Sequence, residues 1–172
     1  MLELSFKPES EQFDSATKEY LDIWNEEQGS IFEAFEEITG LKFLQKSIQA
    51  IIYEGPSSSG SLNIPMKLRA SYPYSVKRGS LVHELGHRLI APLHNRVEAL
   101  DEHQHLNLFL HDVWITLYGK EFADEMVAVE SKRKGLYDYE GAWKWLLNLS
   151  EGEKSSIWQK FINLNPDRNR SV

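Results

Sequence analysis

The run from Ser80 to His94, SLVHELGHRLIAPLH, holds two histidines four residues apart, His83 and His87, with Glu84 directly after the first. On an α-helix, residues i and i+4 share one face. Two imidazoles at that interval can therefore bind one ion, at about 2.0–2.1 Å each for zinc. Glu84 is rotated by about 100° from His83, too far round to ligate from the same turn. It is placed instead to reach a water held at the metal, the position a general base needs. The chemistry this spacing can perform is metal-assisted hydrolysis, with His83 and His87 as ligands and Glu84 as base. The apolar neighbours Leu81, Val82, Leu85, Leu89 and Ile90 can anchor the other faces of the helix. The competing reading is structural: paired histidines on a helix with a salt-bridged glutamate between them.

A catalytic zinc takes three protein ligands and a water. The chain has no cysteine, so the third ligand must be a His, Asp or Glu. Three candidates stay open. His94 would share the face of His83 and His87 if the helix ran on, but Pro92 lies between and breaks it. The next helical run, Val97 to Tyr118, has an apolar arc of Leu106, Phe109, Leu110, Val113 and Leu117. Glu102 projects into the middle of that arc, where an ionised carboxylate is costly unless paired, and a metal ion would pair it. His105 and Glu98 flank the same direction. Glu102 is the expected third ligand, with His94 and His105 as the alternatives. The opposing view of Glu102 is an exposed residue facing the dipole at a helix N-terminus.

The elements that must position these residues are legible in outline. LELSF (2–6) alternates like a short strand. Ser10 to Thr39 is acidic with helical spacing; Gly29 is a candidate break and Gly40 a candidate C-cap. SIQAIIYE (47–54) and NIPMKLRASY (63–72) read as extended segments joined by a Gly/Ser loop, which suggests an antiparallel hairpin. YPYSVKRGS then leads into the motif helix, with Ser80 as expected N-cap. After Tyr118 come helical runs ending at Gly135, then YEGAWKWLLNL and SEGEKSSIWQKFINL, the last opened by a Ser150–Glu153 capping box. NPDRNRSV is a polar tail expected to fray. The fold class expected is α+β, mostly helical, with a small antiparallel or mixed sheet of about three strands packed on the motif helix and the glutamate helix. It is read as one domain: a leading helical segment (1–45), a core (46–118), C-terminal helices (119–165) and the tail (166–172).

Composition narrows the function classes. The 172 residues carry 41% hydrophobic and 12% aromatic side chains, enough for a real core. A net charge of −7 repels phosphate backbones, and no basic patch is prominent, so no nucleic-acid partner is expected. The start, MLELSFKPESEQF, lacks a signal-peptide pattern, and no apolar run is long enough to span a membrane. The expectation is a soluble, cytoplasmic protein with no membrane partner.

HELGH at 83–87, followed by a helix that carries a glutamate, resembles the gluzincin branch of the zincin metallopeptidases, and the layout is similar to that of the minigluzincins. Those have a leading helix, a short sheet whose edge strand holds the substrate, the motif helix and a glutamate helix. The resemblance implies one Zn(2+) per chain on His83, His87 and Glu102. It also implies hydrolysis of a peptide bond through a zinc-bound water, with Glu84 as base. His105, His103, Tyr72 and Tyr74 can each supply a donor to the oxyanion or touch the substrate. MKLRASY is the natural edge strand for an extended peptide or protein substrate. The chain departs from the branch at Arg88, where an uncharged residue is usual, and at Leu106, where an aspartate often supports the first histidine. A second class stays beside the enzyme: a zincin-fold interaction or regulatory protein with little or no peptidase activity.

Overall fold

The computed structural model describes residues 2–59, 61–135 and 137–169, with the side chains of 168 and 169 left aside. It is an α+β chain with a three-stranded sheet and six α-helices among the described residues. The chain divides into two compact units, Met1–Ala91 and Pro92–Val172. No helix among the described residues is long and apolar enough to cross a membrane.

The first unit holds strand β1 (Glu3–Pro8), helix α1 (Asp14–Thr39), strand β2 (Ser47–Tyr53), strand β3 (Met66–Arg69) and helix α2 (Tyr74–Ile90). The sheet order is β1-β2-β3. Strand periodicity puts Leu4 beside Ile48, Ala50 beside Met66 and Ile52 beside Leu68, all buried, on one face. Helix α1 packs on β1 and α2, and α2 on β3. Tyr20, Ile23, Trp24, Ile31 and Phe35 of α1 and Leu81, Val82, Leu85 and Leu89 of α2 complete the core. Polar ties fix the helix pair. The Tyr20 hydroxyl donates to the Arg69 carbonyl (2.9 Å), the Lys77 ammonium meets Glu19 (2.6 Å) while lying over the Tyr20 ring, and Arg78 pairs with Glu27 (2.7 Å).

Strand direction corrects the expected hairpin. β2 runs parallel to β1 and β3 parallel to β2. Parallel neighbours need a crossover of about a dozen residues or more, and the stretch 54–65 provides it. The antiparallel neighbour of β3 is Ser58, bridged to Lys67. The chain leaves β2, passes along the far side of β3's position, and returns as β3 between the two.

Two helix boundaries also differ from expectation. Gly29 does not break α1, because Trp24 and Ile31 are buried on either side of it and hold the helix through a glycine that costs about 1 kcal/mol. Gly40 is the C-cap, with φ 70°. Helix α2 opens at Tyr74 after Pro73, so Ser80 is no cap but a fully buried interior residue. Every residue from Gly79 to Ile90 is buried, and the helix stops just before Pro92.

The second unit is helical: α3 (Glu102–Tyr118), α4 (Lys120–Glu130), α5 (Tyr139–Leu147) and α6 (Glu151–Asn163), then a 3-10 turn over Pro166–Asn169. The tail beyond it, 170–172, lies outside the described residues. Helix α3 starts later than its periodicity suggests. Ala99 sits at φ 66°, which an α-helix cannot include, and Asp101 caps the helix in a reciprocal box with Gln104. The expected Ser150–Glu153 box is present at α6. Trp114 stacks on Trp143, and Phe109 meets Trp158, which in turn meets Phe161. Asn165 exchanges two hydrogen bonds with the Asn95 backbone (3.0 and 2.8 Å), so the C-terminal turn is tied to the segment ahead of α3.

Candidate metal centre

Within the first unit, helix α2 brings His83, Glu84 and His87 together. The Nε2 atoms of His83 and His87 lie 3.1 Å apart, with ring planes inclined at 63°. His83 is 1% exposed, Glu84 2% and His87 9%. Two nitrogens so close either share a single proton or turn both lone pairs toward one cation. Two ligands at zinc distance and a tetrahedral angle would be roughly 3.3 Å apart, so the separation of the pair is close to what a shared ion requires. Neutral imidazole nitrogens and carboxylates are also the donor types that zinc takes.

The helix backbone around the motif is itself held. The Ser59 hydroxyl donates to the Glu84 carbonyl (2.9 Å) and accepts from Arg88 Nε (3.0 Å). Arg88 also donates to the Ile64 carbonyl (2.6 Å). Its guanidinium is 2% exposed, and burial pulls its pKa below the ordinary arginine value, against the pull of the negative charge of Glu84. The outer edge of β3 is occupied. Ser58 and Lys67 exchange backbone hydrogen bonds (2.9 and 2.8 Å), and the Arg69 N–H donates to Ser57 Oγ (3.1 Å). On the β3 side the outermost backbone is therefore the segment 57–59 rather than MKLRASY, and β1 is the other edge of the sheet.

Tyr74 does not stand beside the motif. Tyr74 is 44% exposed at the first turn of α2, about 13 Å along the helix axis before His83. Tyr72 is half-buried, its ring under the Arg69 guanidinium.

In the second unit, the burial expected of Glu102 is absent. It is the first residue of α3 and exposed, because the helix has no preceding turn to carry that position inward. His94 is exposed in the segment after α2. His105 is fully buried, and both ring nitrogens are engaged by backbone: Nε2 accepts from the Val97 N–H (3.0 Å) and Nδ1 lies 2.6 Å from the Asp101 carbonyl. Burial holds this imidazole below the ordinary histidine pKa. A neutral ring with both nitrogens so used has no lone pair left for a metal.

The residue that sequence reasoning weighed only as an oxyanion donor is His103. It is 4% exposed, and its ring packs against Tyr137 and Tyr139, with centroids 4.6 and 4.5 Å away. One turn on, Asn107 is 1% exposed, and no described residue hydrogen-bonds either end of its amide. A buried amide left so costs about 1–3 kcal/mol, and an ordered water or other polar group is the usual remedy. The signal for this buried polar stripe is the i, i+4 interval of His103 and Asn107 within an otherwise apolar helix.

Comparison with known proteins gives no matching family model, no matching curated protein and no matching solved structure.

Proposed function

We propose that this protein is a zinc-dependent metallopeptidase, and that His83 and His87 are two of the zinc ligands. The observation that carries the reading is the buried pair of Nε2 atoms 3.1 Å apart on one face of α2, with Glu84 beside it. With no cysteine in the chain, histidine and carboxylate are the donors it has to offer a metal. For the third protein ligand, the expectation from sequence, Glu102, remains the proposal. A zinc ion held there supplies a Lewis acid and lowers the pKa of a water.

The rest is work for the chain's own groups. Glu84 takes a proton as the water oxygen bonds to the peptide carbonyl carbon, and returns it to the nitrogen as the C–N bond breaks, leaving a carboxylate and an amine. An extended peptide can pair with the outward backbone of the segment 57–59, since the outer edge of β3 is already taken by Ser57 and Ser58.

The test is elemental analysis together with hydrolysis of an unfolded protein such as casein. Zinc-loaded protein should carry about one zinc and cleave. Glu84→Gln should keep the zinc, because Glu84 is not a ligand, and lose at least about a hundredfold in rate. Zinc without hydrolysis in the wild type would leave a metal-binding interaction protein instead, and absence of zinc would end both readings.

A further inference from the structure

Arg88 is one of the residues that depart from the resemblance, and the peptidase reading gives it no task. It is a charged side chain, 2% exposed, one position after the second motif histidine. Burying a guanidinium is costly unless its donors are used. Its two hydrogen bonds converge on one stretch of chain: Nε on the Ser59 hydroxyl, and a terminal nitrogen on the Ile64 carbonyl. Ser59 is itself 6% exposed and donates its hydroxyl hydrogen bond to the carbonyl of Glu84. A hydroxyl has one donor and two lone pairs, so Ser59 links Arg88 to the backbone of the general base. The same stretch is pinned to β3 by the Ser58–Lys67 pair and by Ser57 Oγ. In a strand, the backbone groups of alternate residues face opposite sides. Ser58 faces β3, so by strand alternation the backbone of Ser57 faces away from it, while Ser59 is buried against the motif helix.

A serine-rich loop between two strands would be expected to move, and a moving edge cannot set the register of a bound peptide. We propose that Arg88 is a positioning residue: through Ser59 it locks the segment 57–59 onto the motif helix, so that the peptide-pairing edge and the backbone of Glu84 hold one fixed register. This rests on the peptidase reading above. Arg88 does not touch the reacting atoms in this scheme. It acts on where the substrate lies, and its loss should therefore weaken substrate engagement more than turnover.

Two measurements on the full chain test this. The first is amide hydrogen exchange in wild type, Arg88→Met and Ser59→Ala. The Lys67 N–H, bonded to Ser58, should exchange roughly tenfold faster in both variants. The Ala70 N–H, bonded to Tyr53 in β2, should stay within about twofold of wild type and so reports that the sheet is intact. Equal protection of Lys67 in wild type and both variants overturns the proposal, whatever the enzyme does. Loss of protection at Ala70 as well would mean that Arg88 merely holds the sheet together, and also overturns it.

The second measurement uses one internally quenched peptide that the zinc-loaded wild type cleaves, picked from a mixture of short peptides. Arg88→Met should raise KM roughly tenfold with kcat within about threefold, and Arg88→Lys, which keeps a donor, should fall between. A drop in kcat at unchanged KM overturns the positioning role while leaving the peptidase reading intact. A zinc-loaded wild type that cleaves nothing in the mixture overturns both.

Discussion

Among single residues, the third ligand is where sequence and structure pull apart. Glu102 was expected on a buried face and is exposed, while His103 beside it is buried. Zinc titration of Glu102→Gln and His94→Gln separates the proposed third ligand from its alternative. The true ligand should cost more than the roughly 10–100-fold in affinity that follows loss of a supporting residue, and the other should stay below that. His83→Ala, as reference, should abolish stoichiometric binding; zinc retained in that variant would place the ion elsewhere. His105 belongs to a different class. Its ring bridges the Val97 N–H and the Asp101 carbonyl, so His105→Leu should leave zinc affinity unchanged and lower stability by about 1–3 kcal/mol, through buried backbone groups left unpaired. Denaturant melts of the chelated proteins measure the second effect; a large affinity loss with no stability loss would return His105 to the ligand candidates.

Elements show why the motif is so well held. Helix α2 is buried along its whole motif-bearing half, and its N-terminal half is tied to α1 through Lys77–Glu19 and Arg78–Glu27. Helix α1 is a long brace that tolerates a glycine at position 29. A Cβ at Gly29 meets nothing within 4 Å, and its conformation is helical. Gly29→Ala should therefore stabilise the protein by about 0.5–1 kcal/mol, mostly by restricting the unfolded chain. An urea melt reads this directly, and a destabilised variant would mean that α1 needs a soft point there. The sheet is short, so its edges matter more than its interior. The Ser58–Lys67 bridge covers the outer side of β3 as a miniature antiparallel strand, which removes an exposed parallel edge.

For the whole chain, zinc should act as a stabilising ligand by mass action. A site that binds only the folded protein adds about 2.7 kcal/mol at a free metal concentration a hundredfold above Kd. The melting temperature should rise with added zinc and fall in chelator. In His83→Ala it should not respond. A wild type whose melt ignores zinc at every concentration would contradict a folded-state metal site. The acidic balance, −7 overall, favours cations in solution near the protein but selects none, so specificity must come from the histidine geometry.

The sequence by itself determined what local rules can specify. The interval of four between His83 and His87 fixes a shared helical face, because helix pitch is a property of the backbone and not of context. Cysteine absence fixes the donor types. Capping at Ser150 and Gly40, and the stop before Pro92, follow from residues whose preferences act within a turn. Contacts far apart in sequence decided the rest. Strand direction in β2 and β3 depends on where the stretch 54–65 travels, and no local pattern encodes that path. The start of α3 was misplaced because periodicity continues through 97–101, while the Ala99 backbone and the Asp101 cap do not allow a helix there. Starting the helix at Glu102 leaves that residue exposed in the first turn, while His103 and Asn107 are buried. Arg88 showed in the sequence only as an odd charge after a histidine. Its role depends on Ser59 and Ile64, 29 and 24 residues away along the chain, brought to it only when β3 folds back onto α2.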